Sequence, residues 1–109
     1  MSGAGEIDAL RRLAATVAAR RAQADPAGSY TASLLANGPE KCAEKFGEEA
    51  VEAIIEAVRG DRARLTAEAA DVLFHMLVML AARDITLQDV LDELARREGV
   101  SGHDEKAGR

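Results

Sequence analysis

An all-α fold follows from three features of the 109-residue sequence. Apolar residues recur at helical spacing, alanine is abundant while β-branched residues are sparse, and the only two prolines sit at breaks between periodic segments. The expected architecture is an antiparallel helical hairpin within a bundle of four main helices plus one short helix. A chain this small hides only about 60–70% of its unfolded surface on folding, so completion of the bundle by dimerisation belongs to the expectation.

The first helix is expected from about Ile7 to Ala24, with Ile7, Leu10, Leu13, Ala14 and Val17 on one face. Asp25-Pro26-Ala27-Gly28 breaks it. Ser29 to Ala36 is long enough for about two helical turns. Asn37-Gly38-Pro39 forms the next break, with Pro39 suited to the first position of a helix. The second main helix runs from Pro39 to about Arg59 and stops at Gly60, a residue that readily adopts the left-handed cap. The third starts after Asp61, a good N-cap, and reaches about Arg83. The fourth spans Thr86 to about Arg97, with Thr86 and Asp89 spaced as a capping box and Leu87, Val90, Leu91 and Leu94 in one stripe. Residues 1–98 make a single domain, and the polar, Gly-containing residues 99–109 are expected to be a flexible tail.

Charge and cysteine usage restrict the function. Fourteen Lys and Arg against 19 Asp and Glu give a net charge of −5, which argues against nucleic-acid binding and against attachment to anionic lipid. The single Cys42 excludes an internal disulfide. Met1 to Glu6 lacks the pattern of a signal peptide, and no apolar run approaches the roughly 20 residues a membrane span needs. A cytoplasmic protein is expected.

On a helical wheel, Lys41, Lys45, Glu48, Glu49, Glu52 and Glu56 of the second helix share an arc of about 100°, and apolar residues fill the rest. By itself this is the ordinary pattern of a solvated Glu/Lys face. The third helix is different. It is apolar around most of its circumference, as a buried helix would be, yet Glu68, Asp71 and His75 lie on one strip of about 60°. The turn at Gly60-Asp61 folds the two helices into a hairpin, and at 1.5 Å per residue Glu52 and Glu68 reach similar heights. Four or five carboxylates then converge with few bases nearby. Such a cluster needs a basic partner, protonation or a bound cation. Oxygen-only ligands select a hard cation, Mg²⁺ or its substitute Mn²⁺, which would also let an acidic site receive a polyphosphate.

These residues resemble a known pattern. Lys45-Phe46-Gly47-Glu48-Glu49-Ala50-Val51-Glu52 followed by Glu68-Ala69-Ala70-Asp71 is similar to the EExxE…ExxD signature of the MazG-like all-α nucleotide pyrophosphatases. Ser29-Tyr30-Thr31, Leu34-Leu35, Lys41, the KxGEExxE segment and the EAADVLFH segment, together spanning roughly Asp25 to Leu94, narrow the resemblance to the phosphoribosyl-ATP pyrophosphatases of histidine biosynthesis. Phe46 and Cys42 stand where aliphatic residues are usual, both apolar changes that touch no site residue. The resemblance implies Mg²⁺-dependent hydrolysis of 1-(5-phosphoribosyl)-ATP to 1-(5-phosphoribosyl)-AMP and pyrophosphate, the second step of that pathway, by a homodimer or higher oligomer.

With that resemblance, Glu49, Glu52, Glu68 and Asp71 are expected to hold one or two Mg²⁺ ions, with Glu48 as a further ligand or a group supporting the ligands, and Glu48 or Glu49 to accept the proton of the attacking water. Lys41 and Lys45 are assigned to phosphate, against the alternative of a solvated Lys–Glu face. Ser29, Tyr30 and Thr31 are assigned to substrate, with Tyr30 stacking, against the alternative of an N-cap and a core aromatic. His75 either orients a carboxylate, touches substrate or is a satisfied core residue. Gly47 within a helix costs about 1 kcal/mol relative to Ala, which suggests a close approach by another helix or by substrate. Met76, Met79 and Cys42 are expected in the core. Two other functions are weighed: a housecleaning pyrophosphatase for non-standard nucleoside triphosphates, sharing every metal ligand, and a non-catalytic helical interaction module.

Overall fold

A computed structural model describes residues 3–23, 25–100 and 102–108. All its regular structure is helical: α1 (Gly3–Gln23), a 3₁₀ turn (Pro26–Gly28), α2 (Tyr30–Ala36), α3 (Pro39–Arg59), α4 (Arg62–Ala81), α5 (Leu87–Arg96) and α6 (Gly102–Ala107). The expected helices are all present, though Ala24, the expected end of the first, lies outside the described residues. Two features were not foreseen: the 3₁₀ turn inside the Asp25–Gly28 break, and α6 within the stretch expected to be a flexible tail, of which Ser101 and Arg109 lie outside the described residues.

Local chemistry sets the boundaries. Ser29 caps α2 by accepting a hydrogen bond from the Ala32 amide at 3.2 Å, and Asp61 caps α4 by accepting from the Arg64 amide at 3.0 Å. Thr86 and Asp89 close a reciprocal capping box at the start of α5. Gly60, at φ 79°, ends α3 in the left-handed conformation that lets the chain reverse within two residues. At the end of α4 that position belongs to Asp84, at φ 61°. The Ile85 amide donates to the Leu80 carbonyl and the Asp84 amide to the Ala81 carbonyl, a Schellman closure made without glycine, and the Asp84 carboxylate pairs with Arg21 of α1.

The core is small. Val17, Leu34, Cys42, Leu77 and Val78 form its buried centre, with Leu10, Leu13 and Ala14 of α1, Phe74 and Met79 of α4 and Leu87 of α5 packed around it. Cys42 is a free, buried thiol that donates to the Leu34 carbonyl at 3.2 Å, and burial pushes its pKa up. Helices α3 and α4 pack along their length as the expected hairpin, and α1 and α2 cover the other side of α4.

One expectation needs correcting. The apolar circumference of α4 suggested burial all round, but within one chain Leu73 is 46% exposed and Ala69 and Ala70 are exposed. Helix α3 likewise buries Cys42 and partly covers Phe46, Ala50 and Ala53, while Val51, Ile54, Ile55 and Val58 stay 44–84% exposed. The radius of gyration, 15.7 Å, exceeds the roughly 13 Å typical of a domain this long. The hairpin has more apolar surface than the remaining helices can cover.

Candidate metal and phosphate site

The α3–α4 hairpin brings its acids together midway along both helices. One carboxylate oxygen each from Glu49, Glu68 and Asp71 lie within 4.8 Å of one another. Glu52 stands close enough to Glu49 and Glu68 to shift the titration of both. The pKa of Glu49 is raised, chiefly by burial and then by the nearby carboxylate of Glu52 and the charges of Asp71 and Glu68. The pKa of Glu68 is raised chiefly by the adjacent carboxylate of Glu52, then by burial and by the charges of Asp71 and Glu56. Oε2 of Glu68 is buried without a hydrogen-bond partner.

This is the chemistry of a site for a hard cation. The donors are all carboxylate oxygens, they converge within coordination reach, and no lysine or arginine ion-pairs with Glu49, Glu52, Glu68 or Asp71 among the contacts of the described residues. Two positive charges placed among them would reverse the repulsion that holds the pKa values up.

The other predicted residues divide. Glu48 is half-exposed and ion-paired with Lys45 at 3.2 Å. These two line a shallow groove with Gly47, Glu49, Val51 and Glu52, so Lys45 stands beside the acids. Lys41 lies a turn away and pairs with Glu44 at 3.1 Å. The side chain of His75 is 94% buried, and its Nε2 is 4.0 Å from Oε1 of Glu49. Burial lowers its pKa most, with Lys45 acting in the same direction and Asp71 and Glu48 opposing. His75 Nδ1 has no hydrogen-bond partner among the described residues.

Ser29 spends its hydroxyl on the α2 cap, as the structural alternative held. Tyr30 is not a core aromatic. It is 58% exposed, stacked on Phe74 at a centroid distance of 6.3 Å and edge-on to His75 at 6.2 Å. Thr31 is half-buried next to it. A Cβ at Gly47 would meet nothing within 4 Å, so no helix of this chain explains that glycine.

Two residues carry more than the positions that the sequence analysis gave them. Glu56 continues the acidic strip one turn beyond Glu52, its Oε1 is buried without a partner, and its charge reaches Glu68. Its spacing from Glu49 and Glu52 was the available signal. Phe74 supplies the plate behind Tyr30, and no periodicity rule separates that role from a core position.

Comparison with known proteins agrees with this geometry. The profile of the family described as Phosphoribosyl-ATP pyrophosphohydrolase matches residues 10–98. A phosphoribosyl-ATP pyrophosphatase from Cereibacter sphaeroides is 77% identical over 100 residues, 92% of this chain and 96% of that protein. Proteins of the same name from Dinoroseobacter shibae and Paracoccus denitrificans are 74% and 73% identical, each over 92% of this chain and over 97% and 92% of their own lengths.

Proposed function

The chain belongs to the phosphoribosyl-ATP pyrophosphohydrolase family, and from that premise we propose that it hydrolyses 1-(5-phosphoribosyl)-ATP to 1-(5-phosphoribosyl)-AMP and pyrophosphate in histidine biosynthesis. The observation that carries the reading beyond family membership is the convergence of Glu49, Glu68 and Asp71 oxygens within 4.8 Å, with Glu52 close enough to raise the pKa of two of them.

Glu49, Glu52, Glu68 and Asp71 hold one or two Mg²⁺ ions in this reading. When bound, Mg²⁺ supplies the positive charge that neutralises the triphosphate and makes water a better nucleophile at phosphorus. Glu48, outside the three-carboxylate cluster but next to it in sequence, accepts the proton of the attacking water, with Glu49 as the second candidate. Lys45 donates to the phosphates from the groove rim, and Lys41 does so from a turn further out. The residue after the Ser29 cap, Tyr30, faces solvent beside Phe74 and His75 of α4, and Thr31 and His75 complete the substrate-side assignment. Water entering and pyrophosphate leaving balance the hydrolysis of one phosphoanhydride bond.

The same reading makes the active form a homodimer. The exposed strip Val51, Ile54, Ile55 and Val58 borders the acidic strip on α3, so a second copy covering it would lie beside Glu48 and Glu52. Among the described residues no helix is long and apolar enough to cross a membrane, and we place the enzyme in the cytoplasm, where histidine is made.

Pyrophosphate release from phosphoribosyl-ATP, with and without Mg²⁺, tests the function. Release that requires Mg²⁺ supports it. A chain inert on phosphoribosyl-ATP but active on non-standard nucleoside triphosphates would replace it with the housecleaning activity.

A further inference from the structure

We infer that the open face of Tyr30 is the platform that selects an N1-substituted purine over ordinary ATP. The inference rests on the function proposed above and concerns how the same site chooses its substrate.

Four observations converge on this ring. Tyr30 is the first residue of α2, and the Ser29 cap fixes that turn against rotation. Phe74 stacks on the ring with an interplanar angle of 21°, and His75 meets it edge-on at 85°. Phe74 and His75 are themselves in edge contact, with centroids 4.9 Å apart. The ring is therefore held in orientation, yet 58% of the residue remains exposed. Its open face is accessible to a planar ligand, and stacking with one would cover it.

The platform also lies within reach of the phosphate chemistry. His75 touches Tyr30 on one side and stands 4.0 Å from Glu49 on the other. Lys45, ion-paired with Glu48 at 3.2 Å, lines the groove beside Glu49 and Glu52. A triphosphate held at the acids thus has its purine end at the aromatic unit.

The chemistry of the substrate explains what this platform distinguishes. Attaching ribose to N1 of adenine makes the purine strongly basic, so it is a cation at neutral pH. The purine of ATP is neutral there. A cation is attracted to the electron-rich face of a phenol ring, whereas a neutral purine gains stacking alone. Lys45 does not oppose this, because its charge is paired with Glu48 at 3.2 Å and the surrounding groups are acidic.

Substitution and fluorescence test the inference. Tyr30→Ala should raise KM for phosphoribosyl-ATP about tenfold with kcat changed less than about threefold. Tyr30→Phe, which keeps the ring, should restore KM to within about threefold of wild type. The inhibition constant of ATP as a competitor should move much less than KM for phosphoribosyl-ATP in the alanine variant. Because the chain has one tyrosine and no tryptophan, its intrinsic emission reports on Tyr30 in the unmodified protein. 1-Methyl-AMP should quench it saturably at concentrations where AMP does not. Equal losses in KM for phosphoribosyl-ATP and in the inhibition constant of ATP, a loss confined to kcat, or equal quenching by the two monophosphates would each overturn the inference while leaving the hydrolase function standing. Wild-type protein that releases no pyrophosphate from phosphoribosyl-ATP would overturn both.

Discussion

Oε1 of Glu49 stands 4.0 Å from Nε2 of His75, with the imidazole almost wholly buried and the carboxylate about one-fifth exposed. The contact joins the two helices of the hairpin at the height of the acid cluster. It also couples two groups shifted toward neutrality, since burial raises the pKa of Glu49 and lowers that of His75. Without a cation, this part of the protein is adapted to having less charge than its sequence carries.

Replacement of Glu68 by Gln should therefore have opposite effects on stability and activity. Removing one of the mutually repelling carboxylates should raise the melting temperature of the metal-free protein. The same change should lower pyrophosphate release by about a hundredfold or more and abolish the stabilisation Mg²⁺ gives the wild type, because a cation ligand is lost. Far-ultraviolet circular dichroism should show unchanged helicity. Wild-type turnover in Glu68→Gln, or in Asp71→Asn, would refute the ligand assignment.

Stability should respond to Mg²⁺ in a pH-dependent way. Glu49 and Glu68 have folded-state pKa values above their usual values near 4.5. A carboxylate shifted upward favours the fold most below its unfolded pKa, and that contribution is lost as pH rises through the raised value. Metal-free protein thus carries the repulsion in full at pH 8, where both acids are ionised and Mg²⁺ does not compete with protons. Thermal unfolding should show a gain of about 2.7 kcal/mol when Mg²⁺ is present at a hundred times its dissociation constant. The gain should be clearly larger at pH 8 than at pH 5. An equal gain at both values would mean that the ion acts elsewhere.

Gly47→Ala separates helix propensity from function. The added methyl meets no atom within 4 Å, so the substitution should stabilise the chain by up to about 1 kcal/mol in denaturant unfolding. Gly47 also lines the groove with Lys45, Glu48 and Glu49. If substrate passes close to its backbone, KM should rise several-fold in the stabilised variant. Gain of stability with unchanged kinetics would assign Gly47 no part in substrate binding.

The exposed strip on α3 predicts self-association. Sedimentation of the wild type at micromolar concentration should give a dimer or larger species. Ile54→Asp places a charge in the middle of Val51, Ile55 and Val58 and should shift the population to monomer with helicity retained. A monomeric wild type would remove the homodimer from the proposed function.

The sequence by itself determined the helices and their ends. Pro39, Gly60, Asp61, Thr86 and Asp89 mark boundaries because capping and left-handed turns depend on a few neighbouring residues. It also anticipated that Glu49, Glu68 and Asp71 meet, since a two-residue turn between long helices leaves little freedom in which heights face each other. What only the tertiary structure decided is the environment of each group. The wheel put Glu48, Glu49 and Glu52 on one strip, but packing against α4 turns Glu49 inward toward Glu68 and Asp71 and leaves Glu48 with Lys45. It showed that Ser29 is a cap and Tyr30 an exposed ring, that a carboxylate oxygen of Glu56 is buried, and that much of the apolar surface of α3 and α4 stays uncovered. Helical periodicity records direction around one axis, whereas burial depends on which other helices arrive there. In a chain this short, too few arrive to cover every apolar face.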